Sequence, residues 1–128
     1  MKKAVLTDGA PRPAGPYSQG IRVSGELLFT AGQVPIDPAT GQVHGATIEE
    51  QTARVLDNLG AVLAAAGCSF ADVVRVNIYL ADMADWAGMN ATYERYFPDP
   101  KPARTTVGAD LGAHRIEVDL VAAVPAGG

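Results

Sequence analysis

The sequence predicts a single α+β domain over residues 1–128, with its helices packed on one face of a sheet. Three observations predict it. Residues 47–67 carry apolar side chains at helical spacing. Residues 74–80 and 115–124 alternate apolar and polar side chains, as a strand with one buried face does. The chain is also shorter than two domains of ordinary size.

The region before the first helix is expected to contain short strands and loops. Residues 20–24 and 26–32 are predicted as two strands that form a hairpin around Gly25. Residues 35–41 are dense in proline, glycine and aspartate, and are predicted as a loop.

The clearest helix is predicted to begin after Thr47. The Thr47 side chain can cap the helix, and Glu50, three residues later, completes a capping box. Gly67 is predicted to end it, because glycine tolerates the left-handed conformation that follows many helices. One face repeats at spacings of four and three residues, through Ile48, Thr52, Val55, Leu59, Val62 and Ala66.

The remaining elements complete the order β-β-α-β-α-β-β. A strand over residues 74–80 is followed by a helix from about Asp85 to Phe97, and then by strands over 104–109 and 115–124. The sheet face opposite the helices is predicted to be polar in part. Its side chains are Arg75, Asn77, Tyr79, Glu117 and Asp119, with Val73 and Val121 among them. Such a face is either solvated or covered by another subunit.

Composition excludes several classes of protein. Hydrophobic residues make up 48% and charged residues 19% of the 128, which is typical of a soluble globular domain. The net charge of −4, with no long run of lysine or arginine, disfavours a nucleic-acid partner. No apolar run has the length of a membrane span, and the first residues lack an apolar signal core. A cytoplasmic protein without a membrane partner is expected.

No metal or cofactor is expected from the motifs. His44 and His114 are far apart in sequence and are predicted as surface imidazoles, since no set of ligand residues has metal-site spacing. Cys68 follows the first helix and is predicted as a small buried side chain rather than a nucleophile. Phosphate-binding glycine motifs and the serine-hydrolase elbow are absent from the sequence.

Three local features could carry chemistry, and each has a plainer structural alternative. Tyr17 lies in a glycine- and proline-rich loop, where it is either a substrate contact or a packed aromatic. Arg104 follows Pro100 and Pro102, and is either a carboxylate clamp or a surface arginine. Glu117 lies on the polar face of the last strand, and either handles water and protons or is a solvated carboxylate.

Several short blocks are more specific together, in their order along the chain, than any one of them is alone. They are GPYSQG at 15–20, FTAGQVP at 29–35 with DPATG at 37–41, Gln51, DNL at 57–59, NATY at 90–93, PARTT at 102–106 and IEVD at 116–119. With these blocks the sequence resembles the RidA-type reactive-intermediate deaminases, also called the YjgF family. The match runs from about Ala10 to Val124.

The resemblance implies a fold of the chorismate-mutase-like type and a homotrimer with three clefts at the subunit interfaces. It implies hydrolysis of 2-imino or enamino acids, such as 2-iminopropanoate and 2-iminobutanoate, to 2-oxo acids and ammonia. It also implies that no cofactor or metal takes part.

Site residues follow from the resemblance by position. Arg104 matches the carboxylate-binding arginine and Glu117 the glutamate that orients water, so these are the expected catalytic residues. Tyr17 and Asn90 match substrate-site residues, and Gly32 lies on the strand that lines the cleft.

The sequence also departs from the family pattern. Ala31 stands where many deaminase members carry serine, and Thr106 stands where cysteine is frequent; both are expected to line the substrate site. The loop over 108–114 is about two residues shorter than usual. These departures bear on the choice of substrate more than on the reaction class.

Two other classes of function are kept as alternatives. One is an RNA-cleaving translation inhibitor, which the acidic charge balance and the lack of a basic stripe disfavour. The other is a non-catalytic trimeric module that binds small carboxylates or acts like a chaperone. Such a module would retain Arg104 but make no use of Glu117.

Overall fold

The computed structural model describes residues 2–127, which form six strands and two α-helices. The strands are β1 (Lys2–Val5), β2 (Gly20–Val23), β3 (Leu27–Phe29), β4 (Val73–Leu80), β5 (Ala103–Gly108) and β6 (Ile116–Ala123). The helices are α1 (Ile48–Ala65) and α2 (Trp86–Tyr96). The predicted α+β class and order of elements are confirmed, and β1 precedes them as an additional strand. Three of the four β1 residues are exposed, so β1 lacks the apolar alternation that marks a strand.

The strands form two sheets. The larger has the order β3-β6-β4-β5, in which β4 and β5 are parallel and the other pairs antiparallel. The smaller is an antiparallel pair of β1 and β2. An isolated bridge from Ser18 to Ala103 connects the segment before β2 to the start of β5.

The predicted hairpin of the second and third strands is wrong. Strand β2 pairs with β1 over its whole length, while β3 pairs with β6. Gly25, with a φ of +102°, lies in the turn between them, and the Glu26 carbonyl accepts a hydrogen bond from Val124 N at 2.9 Å. The chain therefore passes from one sheet to the other here, because the edge of the long β6 strand provides the partner for β3.

Helix α1 begins and ends as its sequence predicts. Thr47 Oγ1 accepts a hydrogen bond from Glu50 N at 3.1 Å, and Glu50 Oε1 accepts one from Thr47 N at 3.1 Å. At the other end, Gly67 has a φ of +75° and donates to the Ala64 carbonyl, while Cys68 N donates to the Leu63 carbonyl. These two bonds form a Schellman motif. Cys68 is buried, as predicted.

The hydrophobic core lies between the helices and one face of the larger sheet. Helix α1 contributes Val55, Leu56, Leu59 and Leu63, all fully buried. The facing side of the sheet contributes Val76, Ile78 and Leu80 from β4 and Ile116, Val118 and Leu120 from β6.

Val73 is buried in the core, and its predicted place on the polar sheet face is wrong. A β-bulge interrupts the register of β4 with β6 between Val73 and Arg75. Because a bulge adds one residue to one strand, both Val73 and Val74 are buried before the regular alternation resumes.

Helix α2 packs beside α1 on the same side of the sheet. Its Met89 and Tyr93 are fully buried, and Tyr93 stacks on the following Phe97 at a centroid distance of 4.3 Å. Within residues 2–127, neither helix combines the length and apolar character that crossing a bilayer requires.

Candidate functional site

Arg104 lies on β5, an edge strand, in register with Val76 of β4. Because paired residues of neighbouring strands share a sheet face, its side chain projects toward the helices rather than into solvent. Only 9% of Arg104 is exposed. The plainer interpretation of Arg104 as a surface arginine is therefore wrong.

Aromatic rings and a thioether surround the Arg104 guanidinium. Its central carbon lies 4.9 Å from the Tyr93 ring centroid and 5.3 Å from that of Tyr17. Nη1 lies 4.0 Å from Met89 Sδ. The electron-rich ring faces stabilise the cation but supply no counter-charge.

Arg104 has no ion-pair partner among the carboxylates of residues 2–127. Burial lowers the pKa of the guanidinium, while the Tyr93 and Tyr17 side chains raise it in part. An arginine nonetheless stays protonated in a protein. A buried and unpaired cation of this kind is a ready site for an anion, and its planar fork matches a carboxylate.

The loop that carries Tyr17 is held close to this cation. Tyr17 Oη accepts a hydrogen bond from Ala14 N at 3.0 Å, and Tyr17 N donates to the Gly15 carbonyl at 2.8 Å. A Cβ at Gly15 would lie 3.3 Å from the Trp86 ring and 3.5 Å from Arg104 Nη2. Glycine at this position therefore allows the backbone to approach the guanidinium.

Gln19 holds the segment before this loop. Its Nε2 donates to the carbonyls of Thr7, Ala10 and Pro11, and its Oε1 accepts from Thr7 N at 2.7 Å. Gln19 is not among the residues predicted from the sequence to have a role. Its place in the GPYSQG block is the one signal that could have indicated one.

Unsatisfied polar atoms lie on the elements that flank Arg104. Thr106 is two residues further along β5, on the same sheet face, and its Oγ1 is buried. On α2, the Asn90 Oδ1 and the Tyr93 hydroxyl are also buried. None of the three has a hydrogen-bond partner among residues 2–127. Buried polar groups are normally hydrogen-bonded, so these atoms are available to a ligand.

Glu117 lies on the other face of the sheet. It is in register with Tyr79 of β4, whose side chain points away from the helices. A Cβ at Gly32 would lie 3.0 Å from Glu117 Cδ and would overlap Oε2. Hydrogen bonds in both directions between the backbones of Gln33 and Val118 hold the Gly32 segment against β6. Ala31 is exposed beside it.

The proposed site residues therefore fall into two groups within one chain. Tyr17, Asn90, Arg104 and Thr106 lie on or beside the helix side of the sheet, where Arg104 contacts the Tyr17 ring. Ala31, Gly32 and Glu117 lie at the opposite face. The chain does not bring Arg104 and Glu117 together.

The prediction of His114 as a surface imidazole is wrong. Its side chain is only 18% exposed, and Nε2 lies 3.9 Å from Glu117 Oε1. The loop before β6 folds back toward that strand, which sequence spacing does not reveal. No group of three His, Cys, Asp or Glu side chains in the described part of the chain is arranged to hold a metal ion.

A cavity of about 290 Å³ has none of these site residues in its lining. It is lined by Gln33, Val34, Ile36, Pro38, Asn58 and Ala61. Asn58 Nδ2 donates to the carbonyls of Val34 and Ile36, so this amide already serves to attach the loop to α1.

Comparison with known proteins assigns the family. The model of the endoribonuclease L-PSP family matches residues 7–124. The crystal structure of the YjgF gene product from E. coli superposes with a TM-score of 0.73 at 35% identity, and the match covers 96% of this chain and 99% of that one. The chain belongs to the RidA/YjgF family.

Named relatives in this family are also similar in sequence. A RutC family protein of Pyrococcus horikoshii is 51% identical over 107 residues, which cover 84% of each chain. Reactive Intermediate Deaminase A, chloroplastic, of Arabidopsis thaliana is 40% identical over 124 residues, which cover 94% of this chain and 65% of the plant protein. One relative of this chain is therefore named as a reactive-intermediate deaminase.

Proposed function

We propose that this protein is a hydrolytic deaminase that converts 2-imino acids, such as 2-iminopropanoate and 2-iminobutanoate, to 2-oxo acids and ammonia. The observation that carries the proposal is the burial of Arg104 between two aromatic rings without a carboxylate partner in residues 2–127. Kinship with a reactive-intermediate deaminase supports the same reaction class.

In the proposed complex, Arg104 binds the substrate carboxylate with two parallel hydrogen bonds. Asn90 Oδ1, which is buried without a partner in residues 2–127, accepts a hydrogen bond from the iminium nitrogen. Burial raises the pKa of Tyr93, so its phenol stays protonated and can donate. Fixing the substrate in this way lowers the barrier by removing translational and rotational freedom before the reaction.

Glu117 is the proposed general base and acid. As water oxygen bonds to the iminium carbon, the C=N π electrons move to nitrogen and the carboxylate takes one water proton. Glu117 then returns this proton to the amine of the carbinolamine. The C–N bond breaks and ammonia leaves, while the remaining hydroxyl proton passes to Glu117 as the C=O bond forms. Release of that proton to solvent regenerates the carboxylate.

The proposal includes a homotrimer in which one protomer supplies Arg104 and a neighbour supplies Glu117. The sheet face that carries Glu117 also carries exposed apolar side chains at both of its edges. Phe29 is 70% exposed on β3 in register with Val121, and Val107 is 44% exposed on β5 in register with Tyr79. Large apolar side chains exposed at both edges of one sheet face favour its burial against another protein surface, which supports a second copy of the chain as the cover of this face.

The experiment measures 2-oxo acid formation from freshly generated 2-iminopropanoate in the wild-type protein and in Glu117→Gln. The variant keeps the size of the side chain but cannot take a proton, so we expect turnover to fall about 10²-fold or more. Glu94→Gln, an exposed glutamate on α2, is the matched control and should retain full activity.

Two results would contradict the proposal. One is that the wild-type protein does not increase the rate of imine hydrolysis above the rate without protein. The other is cleavage of RNA that Glu117→Gln does not alter, which would indicate a ribonuclease with a different site.

A further inference from the structure

The environment of Glu117 distinguishes its two carboxylate oxygens. Oε2 lies over Gly32, where a Cβ would overlap it. Oε1 lies on the side of His114, with 3.9 Å between it and Nε2 of the imidazole. One carboxylate oxygen therefore packs against the glycine segment, and the other lies beside a ring nitrogen.

His114 is held in place by its neighbour in sequence. Arg115 N donates to Gln51 Oε1 at 2.8 Å, and Arg115 Nε donates to the Ala46 carbonyl at 3.0 Å. Arg115 Nη1 also lies 3.3 Å from Asp85 Oδ2. These contacts attach the loop end to α1 and to the start of α2, so the position of His114 relative to β6 is defined by the fold.

His114 Nε2 is buried and has no hydrogen-bond partner among residues 2–127. A buried ring nitrogen normally has one. The carboxylate oxygen beside this nitrogen is Oε1 of Glu117, at 3.9 Å. The 3.9 Å separation exceeds a hydrogen bond, so a bond between the two requires one of the side chains to rotate.

The other polar groups on this sheet face are engaged elsewhere. Tyr79 Oη donates to Asp119 Oδ2 at 3.2 Å, and Asn77 Nδ2 donates to Asp119 Oδ1 at 2.8 Å. Arg75 Nη2 donates to Thr105 Oγ1 at 2.7 Å. Among the described residues, His114 is the one basic side chain with a nitrogen within 4.0 Å of a Glu117 carboxylate oxygen.

We infer that His114 is a positioning residue for Glu117. The Nε2–H of His114 donates to Glu117 Oε1, which leaves Glu117 Oε2 to take the proton of the attacking water. The inference rests on the proposed function of Glu117. His114 itself touches neither the substrate nor the water, and acts by fixing the orientation of the carboxylate.

The kinetic test compares His114→Leu with His114→Gln. Leucine fills the space without a donor, so kcat should fall about 10-fold, as expected for losing one hydrogen bond to a charged group, with KM unchanged. Glutamine places an amide N–H near the position of Nε2 and should restore most of kcat. Equal activity of His114→Leu and wild type would overturn the inference, and so would failure of His114→Gln to exceed His114→Leu when both variants fold.

A spectroscopic test separates this inference from the proposed function. The chain has two histidines, so His44 serves as an internal control for the ¹⁵N chemical shifts of the imidazoles. Glu117→Gln should move the Nε2 shift of His114 and leave that of His44 in place. An unchanged His114 shift would overturn the pairing even in an active enzyme. If Glu117→Gln moves the His114 shift but the wild-type protein has no deaminase activity, the pairing is supported and the proposed function is contradicted.

Discussion

Arg104 and Glu117 project from opposite faces of the same four-stranded sheet. Arg104 is in register with the buried Val76, and Glu117 with Tyr79 on the outer face. Strand β4 also lies between β5 and β6, so the two residues are separated by about 10 Å across the sheet, which is two strand spacings. If both groups act on one small substrate, the two must come from different copies of the chain.

Substitution of Arg104 tests the carboxylate clamp. Arg104→Lys keeps the charge but loses the planar fork, so kcat/KM should fall about 10- to 150-fold, the equivalent of one charged hydrogen bond. Arg104→Ala should abolish activity and weaken binding of 2-oxobutanoate. Arg95→Lys, on the exposed side of α2, is the control and should behave as wild type.

Imine hydrolysis assays and calorimetric titration with 2-oxobutanoate measure these effects. Survival of both activity and binding in Arg104→Ala would contradict the clamp. A circular dichroism melt of each variant shows whether a loss of activity reflects loss of the fold.

Gly32→Ala tests the contact between the glycine segment and the carboxylate. The new methyl group would overlap Glu117 Oε2, and the flexible side chain can move away at small cost in stability. The displaced carboxylate should lower kcat by about 10²-fold, since a shift of about 1 Å in a catalytic group has an effect of that size.

Gly20→Ala is the matched control for this variant. A Cβ at Gly20 would meet its nearest neighbour, Val5 Cβ, at 3.8 Å, an ordinary contact. Kinetics and thermal melts are measured on both variants. If Gly32→Ala turns over substrate at the wild-type rate, the carboxylate near Gly32 is not the one that handles the water.

Tyr96 links the two helices, and its loss should lower stability. Tyr96 Oη donates to Asp57 Oδ1 at 2.9 Å. Tyr96→Phe should reduce the free energy of unfolding by about 0.5–1.5 kcal/mol at pH 7, the usual value of one hydrogen bond. In the Asp57→Ala background the same substitution should cost less, because the acceptor is already gone.

The same hydrogen bond predicts a pH dependence. Burial, and then the bond to Asp57, raise the pKa of Tyr96 to about 12 from its ordinary value of 10.0. Because the folded value is the higher one, this stabilisation is present below pH 10 and is lost as the pH rises through about 12. In urea titrations, the stability advantage of wild type over Tyr96→Phe should therefore shrink as the pH rises from 10 toward 12. An advantage that stays constant over this range would contradict the assignment.

The sequence predicted well those features that depend on neighbouring residues. The capping box at Thr47 and Glu50 and the end of α1 at Gly67 are local, because each bond joins residues within one or two turns. The resemblance in the block around Arg104 directed attention to a residue that proved to be buried. That burial itself could not be predicted, since it depends on α2 and the Tyr17 loop closing over β5.

Features that depend on strand pairing were harder to predict from the sequence. The pairing of β2 with β1 and of β3 with β6 depends on strand register rather than on composition, and so does the burial of Val73 at a bulge. His114 was predicted as a surface imidazole because no ligand residue lies at metal-site spacing from it in the sequence. Its contact with Glu117 arises where that loop turns back onto β6.

The oligomeric state provides a further prediction. Light scattering should give a mass near 39.9 kDa, three times the chain mass of 13.3 kDa. Phe29→Glu should shift the protein toward the monomer, because it introduces charges at the proposed interface. Leu6→Glu, at a similarly exposed apolar residue outside the larger sheet, should remain trimeric. A wild-type mass near 13.3 kDa at micromolar concentration would refute the trimer.

Subunit complementation tests the shared site most directly. Arg104→Ala and Glu117→Gln are each expected to be inactive alone. When the two are co-expressed with different tags and purified as mixed trimers, some interfaces combine an intact Arg104 from one chain with an intact Glu117 from its neighbour. In a cyclic trimer, each mixed assembly has one such interface among its three, whichever variant is present in two copies, so roughly a third of wild-type activity should return. Mixed trimers that remain as inactive as the single variants would contradict a site shared between subunits.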